Sequence, residues 1–414
     1  MKHLDKIVII GAGAAGLTTA ESLRRFGFGG KIMMVHAEHT LPYDRPPLSK
    51  QVLAGTWAPE KVHLRSPAAL ERLALDWSHG VEATHLDIAG HRVELSDGKL
   101  LEFDAAVIAT GLSPRSLASG QNLQGIFVLR TLNEALALRQ TLAAGKRLVV
   151  VGGGFLGLEA AATAHQLGLE VEVIEPLPVC LEGPLGRTMG ERVMHLQTAH
   201  GVCLRNGIGV RRLIGREAQG MGGVVTGVEL QDGTMLPADV MLVAIGAQPN
   251  VGWLEGSGLT LQNGIVCNAF CEAAPGIYAA GDVANWYHPR LKRHVRLEHR
   301  MNATEQGQAV AKILLGERQP FAPVPFFWSD QFDVKIQMYG FASRSAALRI
   351  VEGALHEGRF VAAYYEEGEC PVAVLGWNSP KQLLSYRNQL LDGQTAYQGV
   401  RPILEEAHHA SGIF

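Results

Sequence analysis

KIVIIGAGAAG, at residues 6–16, is an aliphatic run followed at once by the pattern G-x-G-x-x-G. The aliphatic run predicts a buried strand, and the residues after the glycines have the pattern of a helix. In this context the first glycine permits a tight turn, the second lets a pyrophosphate approach the backbone, and the third lets the helix pack on the strand. The helix N-terminus would then bind the phosphates of a dinucleotide. The candidate residues are Gly11, Gly13, Ala14, Ala15 and Gly16.

The same pattern recurs in LVVVGGGFLG at residues 148–157. Two such sites indicate two dinucleotides, commonly one bound flavin and one exchangeable nicotinamide. A further repeat supports this, because DG at 97–98 precedes DAAVIATG at 104–111, and DG at 232–233 precedes DVMLVAIG at 239–246. The chain therefore repeats a strand–helix–strand–hairpin–strand unit. The candidate residues in this second set are Gly152, Gly154, Phe155, Leu156 and Gly157, with Ala109, Thr110, Gly111 and Gly246 at the ends of the repeated strands.

The composition is typical of a globular enzyme of two or three domains, with 414 residues, 47% hydrophobic and 19% charged. A net charge of −3 gives no reason to expect a nucleic acid or an anionic membrane as partner. Apolar stretches fall short of the ~20 residues of a membrane helix. A strand begins within six residues of the N-terminus, so we expect no signal peptide and a cytoplasmic location. Five cysteines at irregular spacing predict neither a disulfide framework nor a metal site.

The predicted fold class is α/β, with two Rossmann-like dinucleotide-binding domains and a C-terminal α+β domain. YAAGDV at 278–283 predicts a strand that returns to the first sheet, which makes the first domain discontinuous. Alternation in VKIQMY at 334–339 predicts an antiparallel sheet near the C-terminus. The predicted boundaries are 1–112 with 247–318 for the first domain, 113–246 for the second and 319–414 for the third.

An acidic residue at the end of the second strand normally binds the ribose hydroxyls. In the second unit this residue is Glu175, 23 residues after Gly152. A carboxylate there accepts a hydrogen bond from the 2′-OH of NAD and repels a 2′-phosphate, which favours NADH over NADPH.

In the first unit the expected acid is displaced beyond His36 and Ala37, so Glu38 is the candidate for the adenosine ribose. The turn Gly281-Asp282 offers a carboxylate to the polyol chain of a flavin. The segment 278–283, which contains this turn, is predicted to return to the sheet of the first unit. FAD is therefore assigned to the first unit.

Four motifs carry a family resemblance: PYDRPPLSK at 42–50, GGGFLGLE at 152–159, YAAGDVA at 278–284 and FWSDQ at 327–331. Over about residues 5–400 the chain resembles the FAD-dependent ferredoxin reductases of Rieske dioxygenase and cytochrome P450 electron-transfer systems. The resemblance implies a glutathione reductase-like fold with an FAD domain, an NAD domain and an interface domain. It also implies hydride transfer from NADH to FAD and single-electron release to a 2Fe-2S ferredoxin.

The resemblance also assigns roles to individual residues. Lys50 is expected beside the flavin, Glu159 near the nicotinamide and that lysine, and Trp328 near the flavin or the nicotinamide pocket. An ion pair would hold the lysine charged where flavin reduction builds electron density. Arg45, Val81, Arg130 and Glu298 complete the set of candidate cofactor-binding residues.

Two departures and several alternatives remain open. The family often has Gly-Asp at the end of the second strand of the first unit, where this chain has His36 and Ala37. The family often has arginines just after the residue equivalent to Glu175, whereas residues 176–181 supply none and Arg187 lies further on. No C-x-x-C or C-x-x-x-x-C follows the first glycine pattern, which disfavours the disulfide reductases of similar build. Rubredoxin reductases and monodehydroascorbate reductases share the layout. A signalling flavoprotein resembling apoptosis-inducing factor would be expected to add targeting segments or long insertions.

The densest positive run is HPRLKRHVR at 288–296, followed by Arg300. Ferredoxins are commonly acidic, and brief redox encounters rely on patches of opposite sign. We therefore expect this run to be the ferredoxin-docking surface of a monomer or weak homodimer.

Overall fold

The computed structural model describes residues 4–117, 122–217, 223–366, 368 and 370–393. The chain divides into two compact units, the first comprising Met1–Asp44, Val62–Ser113 and Gln248–Phe327, and the second comprising Arg45–Lys61, Pro114–Ala247 and Trp328–Phe414. The second unit thus contains the second glycine pattern and the C-terminal region. It also contains a short segment, Arg45–Lys61, which follows the first glycine pattern in the sequence. The division into three domains stays a prediction, and the end of the third, beyond residue 393, lies outside the described residues.

The helices of the described chain are α1 (Ala14–Arg25), α2 (Pro67–Glu71), α3 (Leu132–Leu142), α4 (Phe155–Gln166), α5 (Glu182–Ala199), α6 (Arg300–Leu314) and α7 (Pro380–Gly393). The shorter helical segments are a π-helical turn at Leu48–Val52 and 3₁₀ turns at Pro59–Val62, Gly252–Leu254 and Leu355–Glu357. Within the described residues, no helix combines the length and the apolarity that crossing a membrane requires.

The strands of the described part of the chain are β1 (Lys6–Ile10), β2 (Lys31–His36), β3 (Asp76–His79), β4 (Ala83–Asp87), β5 (Arg92–Leu95), β6 (Leu100–Glu102), β7 (Ala105–Ile108), β8 (Leu112–Pro114), β9 (Leu123–Gln124), β10 (Ile126–Phe127), β11 (Arg147–Val151), β12 (Glu170–Glu175), β13 (Cys203–Asn206), β14 (Val210–Glu217), β15 (Gly223–Leu230), β16 (Met235–Pro237), β17 (Val240–Val243), β18 (Ala247–Pro249), β19 (Ile265–Cys267), β20 (Glu272–Ala274), β21 (Ile277–Ala279), β22 (Ala284–His288), β23 (Arg293–Val295), β24 (Phe326–Gln331), β25 (Val334–Gly340), β26 (Ala347–Ala354), β27 (Arg359–Tyr365) and β28 (Ala373–Trp377).

The central sheet of the first unit has the strand order β20-β21-β7-β1-β2-β3. Strand β1 pairs in parallel with β2 and β7, and Ile7 lies opposite Ile32 and Ala105. Ile7 and Ile32 are fully buried, as expected for a parallel strand covered on both faces. Strand β21 pairs in parallel with β7, with Tyr278 opposite Val107. The prediction that this segment returns to the first sheet is therefore confirmed.

The second unit repeats this arrangement in a sheet of order β10-β17-β11-β12-β13. Strands β11, β12 and β17 take the places that β1, β2 and β7 take in the first unit, and every pairing is parallel. The hairpin glycines also correspond, since Gly98 and Gly233 have φ of 83° and 87°. In each turn the preceding aspartate accepts a backbone hydrogen bond, Asp97 from Lys99 and Asp232 from Thr234. The predicted repeat is therefore confirmed.

The C-terminal region of the second unit forms a sheet of order β24-β25-β28-β27-β26, which includes the predicted strand at 334–339. Helix α5 packs on this sheet. The Tyr364 hydroxyl donates to the Leu185 carbonyl at 2.8 Å. The Arg192 guanidinium lies 5.1 Å from the ring centre of Phe360 and 5.0 Å from that of Trp377. These contacts hold helix α5 against the C-terminal sheet through a hydrogen bond and cation–π attraction.

Candidate active site

The first glycine loop closes tightly at two of its three glycines. Gly11 has φ of +105°, and a Cβ on it would lie 2.2 Å from the Ala109 carbonyl oxygen. A Cβ on Gly16 would lie 1.9 Å from the Gly11 oxygen. Helix α1 begins after Gly13, which has no side chain to accept from the first N–H groups. Those groups and the positive end of the helix dipole fit a phosphate.

The second loop has the same construction. Cβ atoms on Gly152 and Gly157 would lie 2.3 Å from the Ala244 oxygen and 2.1 Å from the Gly152 oxygen. A Cβ on Gly154, the N-cap of α4, would meet nothing within 4 Å. Two crowded glycines thus frame one open position, where a ligand can approach the backbone. The residues present fit a dinucleotide phosphate at each loop.

Glu175 lies beside the second loop. Its Oε2 accepts from the Gly153 N–H at 2.7 Å, and its Oε1 accepts from the Leu177 N–H at 2.9 Å. An ionised carboxylate can accept about four hydrogen bonds, so acceptor capacity remains. The side chain of Arg187 is 66% exposed and pairs with Glu191 at 2.9 Å. The ribose role of Glu175 stays a prediction.

In the first unit, the displaced acid is fixed by a tyrosine. Strand β2 runs as far as His36, which is buried and places Nε2 2.8 Å from the Thr40 carbonyl oxygen. Two residues later, Glu38 accepts from the Tyr43 hydroxyl at 2.7 Å. Tyr43 belongs to the motif PYDRPPLSK, and this contact gives that motif a role in positioning the candidate ribose acceptor.

The Gly281-Asp282 turn is held by buried polar groups. The Gly281 N–H donates to Gln306 Oε1 at 2.9 Å. Arg296 donates to the Asp282 carbonyl oxygen at 3.1 Å and to Glu298 Oε1 at 2.9 Å. Burial lowers the pKa of His299, at the start of α6, to about 4, against the opposing effect of the Asp282 charge. This histidine is therefore neutral near pH 7.

A buried ion pair joins the two motifs that were predicted to carry the chemistry. Lys50 Nζ, in the π-helical turn, lies 2.6 Å from Glu159 Oε2 on α4. The two side chains are 12% and 8% exposed. Lys50 also donates to the Pro46 carbonyl at 3.0 Å. A buried pair persists only when further hydrogen bonds satisfy it, and here Ser49 and Ser329 each donate to the Glu159 carboxylate at 2.7 Å.

Each unit carries its own share of the predicted site residues. In the first unit lie Gly11, Gly13, Ala14, Ala15, Gly16, Glu38, Val81, Ala109, Thr110, Gly111, Gly281, Asp282 and Glu298. In the second unit lie Arg45, Lys50, Arg130, Gly152, Gly154, Phe155, Leu156, Gly157, Glu159, Glu175, Gly246 and Trp328.

Four polar residues near Glu159 were not singled out from the sequence: Ser49, Gln197, Ser329 and Gln331. All four are at most 2% exposed. Three of them stand inside the motifs PYDRPPLSK and FWSDQ, beside the residues that were chosen. Their place inside these motifs could have identified the three as site residues, whereas no feature of the sequence distinguishes Gln197.

The prediction that residues 288–296 and Arg300 form an exposed basic surface is wrong in part. Arg296 is 6% exposed and His288 is 1% exposed, and burial lowers the pKa of His288 to about 4. Arg300 pairs with Asp44. Lys292 is exposed, while Arg290 and Arg293 are half-buried. The charge run predicts an exposed docking surface, but Arg296 turns inward to the Asp282 carbonyl.

All five cysteines carry free thiols. Burial raises the pKa of Cys180 to about 11 and that of Cys271 to about 12, so both are protonated near pH 7. A thiolate is the reactive form of cysteine, and these two side chains are inert. Among the described residues, no group of histidine, cysteine or acidic side chains is arranged to bind a metal ion.

Comparison with known families gives a match over residues 5–307 to the pyridine nucleotide-disulphide oxidoreductases and over residues 326–399 to a reductase C-terminal domain. The chain belongs to the pyridine nucleotide-disulphide oxidoreductase family. In this family member both glycine loops and the Lys50–Glu159 pair fall within the first of the two matched regions.

Relatives and solved structures agree with this assignment. Putidaredoxin reductase of Pseudomonas putida is 36% identical over 94% of this chain and 93% of its own. The ferredoxin–NAD(+) reductase component of the p-cumate 2,3-dioxygenase system of Pseudomonas putida is 35% identical over 92% of each chain. A ferredoxin reductase for the CYP199A2 system of Rhodopseudomonas palustris has a TM-score of 0.89 at 33% identity, covering 94% of this chain and 95% of its own. A covalent putidaredoxin reductase–putidaredoxin complex also has a TM-score of 0.89, at 33% identity over 99% of each chain. The predicted glutathione reductase-type fold and the resemblance to ferredoxin reductases are confirmed.

Proposed function

We propose that this chain is an NADH-dependent flavoprotein reductase that passes electrons through FAD to a 2Fe-2S ferredoxin serving a Rieske dioxygenase or a cytochrome P450. The observation that carries the proposal is the pair of glycine loops, each opening a helix at the end of a parallel strand. One chain then holds two dinucleotides, as a flavin enzyme oxidising a nicotinamide requires. The names of the relatives, which are reductases of dioxygenase and P450 systems, support the acceptor class.

The first loop, with Glu38 and Asp282, would hold FAD, and the second loop, with Glu175, would hold NADH. Bound FAD supplies the redox chemistry, since a flavin takes up two electrons as a hydride and releases them singly. Lys50 would place its positive charge beside the flavin, and Glu159 keeps that ammonium group fixed. Such a preorganised charge stabilises developing negative charge without rearrangement during the reaction. Trp328, one residue before Ser329 on β24, would lie near the nicotinamide or the flavin.

The acceptor would dock through Lys292 with Arg290 and Arg293, the part of the basic run that reaches the surface. Arg296 and His288 are left out of this surface because they are buried. Encounters between redox partners use small interfaces and electrostatic steering, for which a few accessible charges suffice. A monomeric or weakly dimeric state and a cytoplasmic location stay predictions.

The test is NADH-dependent reduction of cytochrome c by the purified yellow protein, with and without an added 2Fe-2S ferredoxin. We expect strong dependence on the ferredoxin and one FAD per chain by absorbance. The proposed acceptor would be wrong if a rubredoxin stimulated cytochrome c reduction as strongly as the ferredoxin does. It would also be wrong if the protein reduced monodehydroascorbate faster than any iron–sulfur protein. A protein that binds NADH without oxidising it would contradict the enzyme assignment itself.

A further inference from the structure

Behind the Lys50–Glu159 pair lies a chain of three buried polar side chains from two elements, α5 and β24. Gln197 of α5 donates through Nε2 to Gln331 Oε1 at 2.8 Å. Gln331 donates through Nε2 to Ser329 Oγ at 3.2 Å, and Ser329 donates to Glu159 Oε1 at 2.7 Å. Gln197, Gln331 and Ser329 are all fully buried.

The direction of these hydrogen bonds is fixed by chemistry. An amide nitrogen can only donate, so Ser329 Oγ receives the hydrogen from Gln331 and must point its own hydrogen elsewhere. A carboxylate can only accept, and Glu159 Oε1 is the partner at 2.7 Å. The three hydrogen bonds of the chain therefore all run towards Glu159, while Gln197 Nε2 also donates to the Leu158 carbonyl at 3.2 Å. Hydrogen bonds aligned in this way polarise one another, which strengthens the last one.

The two carboxylate oxygens of Glu159 accept hydrogen bonds from different partners. Oε2 accepts from Lys50 at 2.6 Å and from Ser49 at 2.7 Å, while Oε1 is held from the opposite side by Ser329. Thr163, also on α4, donates to the Ser49 carbonyl at 2.8 Å and fixes the turn that carries Lys50. Without Ser329, the carboxylate would have a buried oxygen lacking a donor and would be free to rotate away from Lys50.

We propose that Ser329, backed by Gln331 and Gln197, is a positioning residue that orients Glu159 and through it the Lys50 ammonium group for flavin reduction. The proposal rests on the role given to Lys50 in the proposed function. It gives the C-terminal sheet a part in positioning the Lys50–Glu159 pair, because Ser329 and Gln331 both belong to β24.

The test compares Ser329→Thr with Ser329→Val in the FAD-loaded protein. These side chains have nearly the same shape, and only threonine keeps the hydroxyl, so strand packing is matched. We expect flavin reduction by NADH to be about tenfold slower in the valine variant than in the threonine variant, as for a lost hydrogen bond to a charged group. The KM for NADH should differ by less than about twofold, because the hydroxyl does not bind the nucleotide.

A second readout does not depend on turnover. Brief acetylation followed by peptide mass spectrometry measures the reactivity of Lys50 against that of the exposed Lys99. Lys50 should be acetylated several-fold faster in Ser329→Val than in Ser329→Thr, and Glu159→Gln gives the upper limit for a released lysine. Ser379→Ala removes another buried serine hydroxyl of the same region, one that donates to the Trp377 carbonyl, and should change neither readout.

Equal rates and equal acetylation in the threonine and valine variants would overturn the positioning role. If Glu159→Gln leaves flavin reduction unchanged while acetylation still separates the two variants, the proposed chemical role of Lys50 fails and the positioning of the pair stands. The two failures are therefore distinguishable.

Discussion

The Lys50 ammonium group and the Glu159 carboxylate lie 2.6 Å apart, although 109 positions separate them in the sequence. One is in a turn that follows two prolines, and the other is in the second turn of α4. Because α4 also begins at the open glycine of the second loop, one helix carries both a candidate phosphate site and the partner of the lysine.

Removing either member of this pair should affect both stability and flavin reduction. Lys50→Met leaves Glu159 buried without its counter-ion, and we expect a loss of about 3 kcal/mol in the free energy of unfolding. The double variant Lys50→Met/Glu159→Gln should recover part of that loss. Stopped-flow reduction by NADH should slow about a hundredfold in Lys50→Met, the effect of losing one preorganised charge. Unchanged reduction in both Lys50→Met and Glu159→Gln would leave the pair with a structural role only.

Gly154→Ala should weaken NADH binding without unfolding the protein. The added methyl group meets no protein atom within 4 Å, and the residue has φ of −76°, which alanine adopts readily. It would instead occupy the space through which a pyrophosphate approaches, and the Kd for NADH should rise about tenfold or more. Gly157→Ala is the contrasting variant, since its Cβ would lie 2.1 Å from a backbone oxygen and should lower the Tm. NADH affinity unaltered in Gly154→Ala would place the nucleotide elsewhere.

Glu175→Gln should reduce the preference for NADH over NADPH. The amide oxygen can still accept from a backbone N–H of the loop, while the charge that repels a 2′-phosphate is lost. The ratio of kcat/KM for the two nucleotides is the measurement, and it should fall about tenfold. Glu172→Gln, on the same strand and paired with Arg205, is the matched control and should leave the ratio as it is. Efficient use of NADPH by the unmodified protein would show that the assignment of Glu175 is wrong.

Replacing Arg290, Lys292 and Arg293 together by glutamine should raise the KM for the ferredoxin and leave NADH reduction of a small dye unaltered. Wild-type ferredoxin reduction should also fall steeply with salt, because exposed charges are screened beyond ~8–10 Å. A triple glutamine variant at the exposed Lys6, Lys31 and Lys99 changes the net charge equally and serves as control. If both triple variants behave alike, the ferredoxin docks on another surface.

The stability of the protein should fall between about pH 6.5 and pH 4 in part through His288. Its Nδ1 accepts from the Leu291 N–H at 3.3 Å, which only the neutral ring can do, and burial lowers its pKa to about 4. The unfolded chain therefore binds a proton in that interval that the folded chain does not, and stability is full above pH 6.5 and lost as the pH falls. The expected contribution is about 3 kcal/mol.

His288→Gln keeps a donor and an acceptor but does not titrate. A plot of Tm against pH should therefore be flatter for this variant between pH 6.5 and 4. The exposed His294 offers a control position at which substitution should not alter the slope. Parallel curves for wild type and His288→Gln would contradict this assignment.

The sequence predicted the parts of the fold that depend on local spacing. Glycines at fixed intervals after an aliphatic run specify strand, turn and helix, and the repeat made both parallel sheets predictable. The chain of polar side chains behind Glu159 could not be predicted from the sequence, because Ser329 lies 170 positions from Glu159 and only the fold brings them together. The exposure of Arg296 was wrongly predicted for a related reason, since a run of charges does not reveal that one member has a backbone carbonyl as its partner.

The chain passes from one compact unit to the other five times, after Asp44, Lys61, Ser113, Ala247 and Phe327. Neither unit is therefore encoded by one uninterrupted stretch of the gene. A single recombination event cannot exchange one unit while sparing the other, and a single proteolytic cut at any crossing leaves four covalent connections between them. The two compact units are thus inherited and synthesised together.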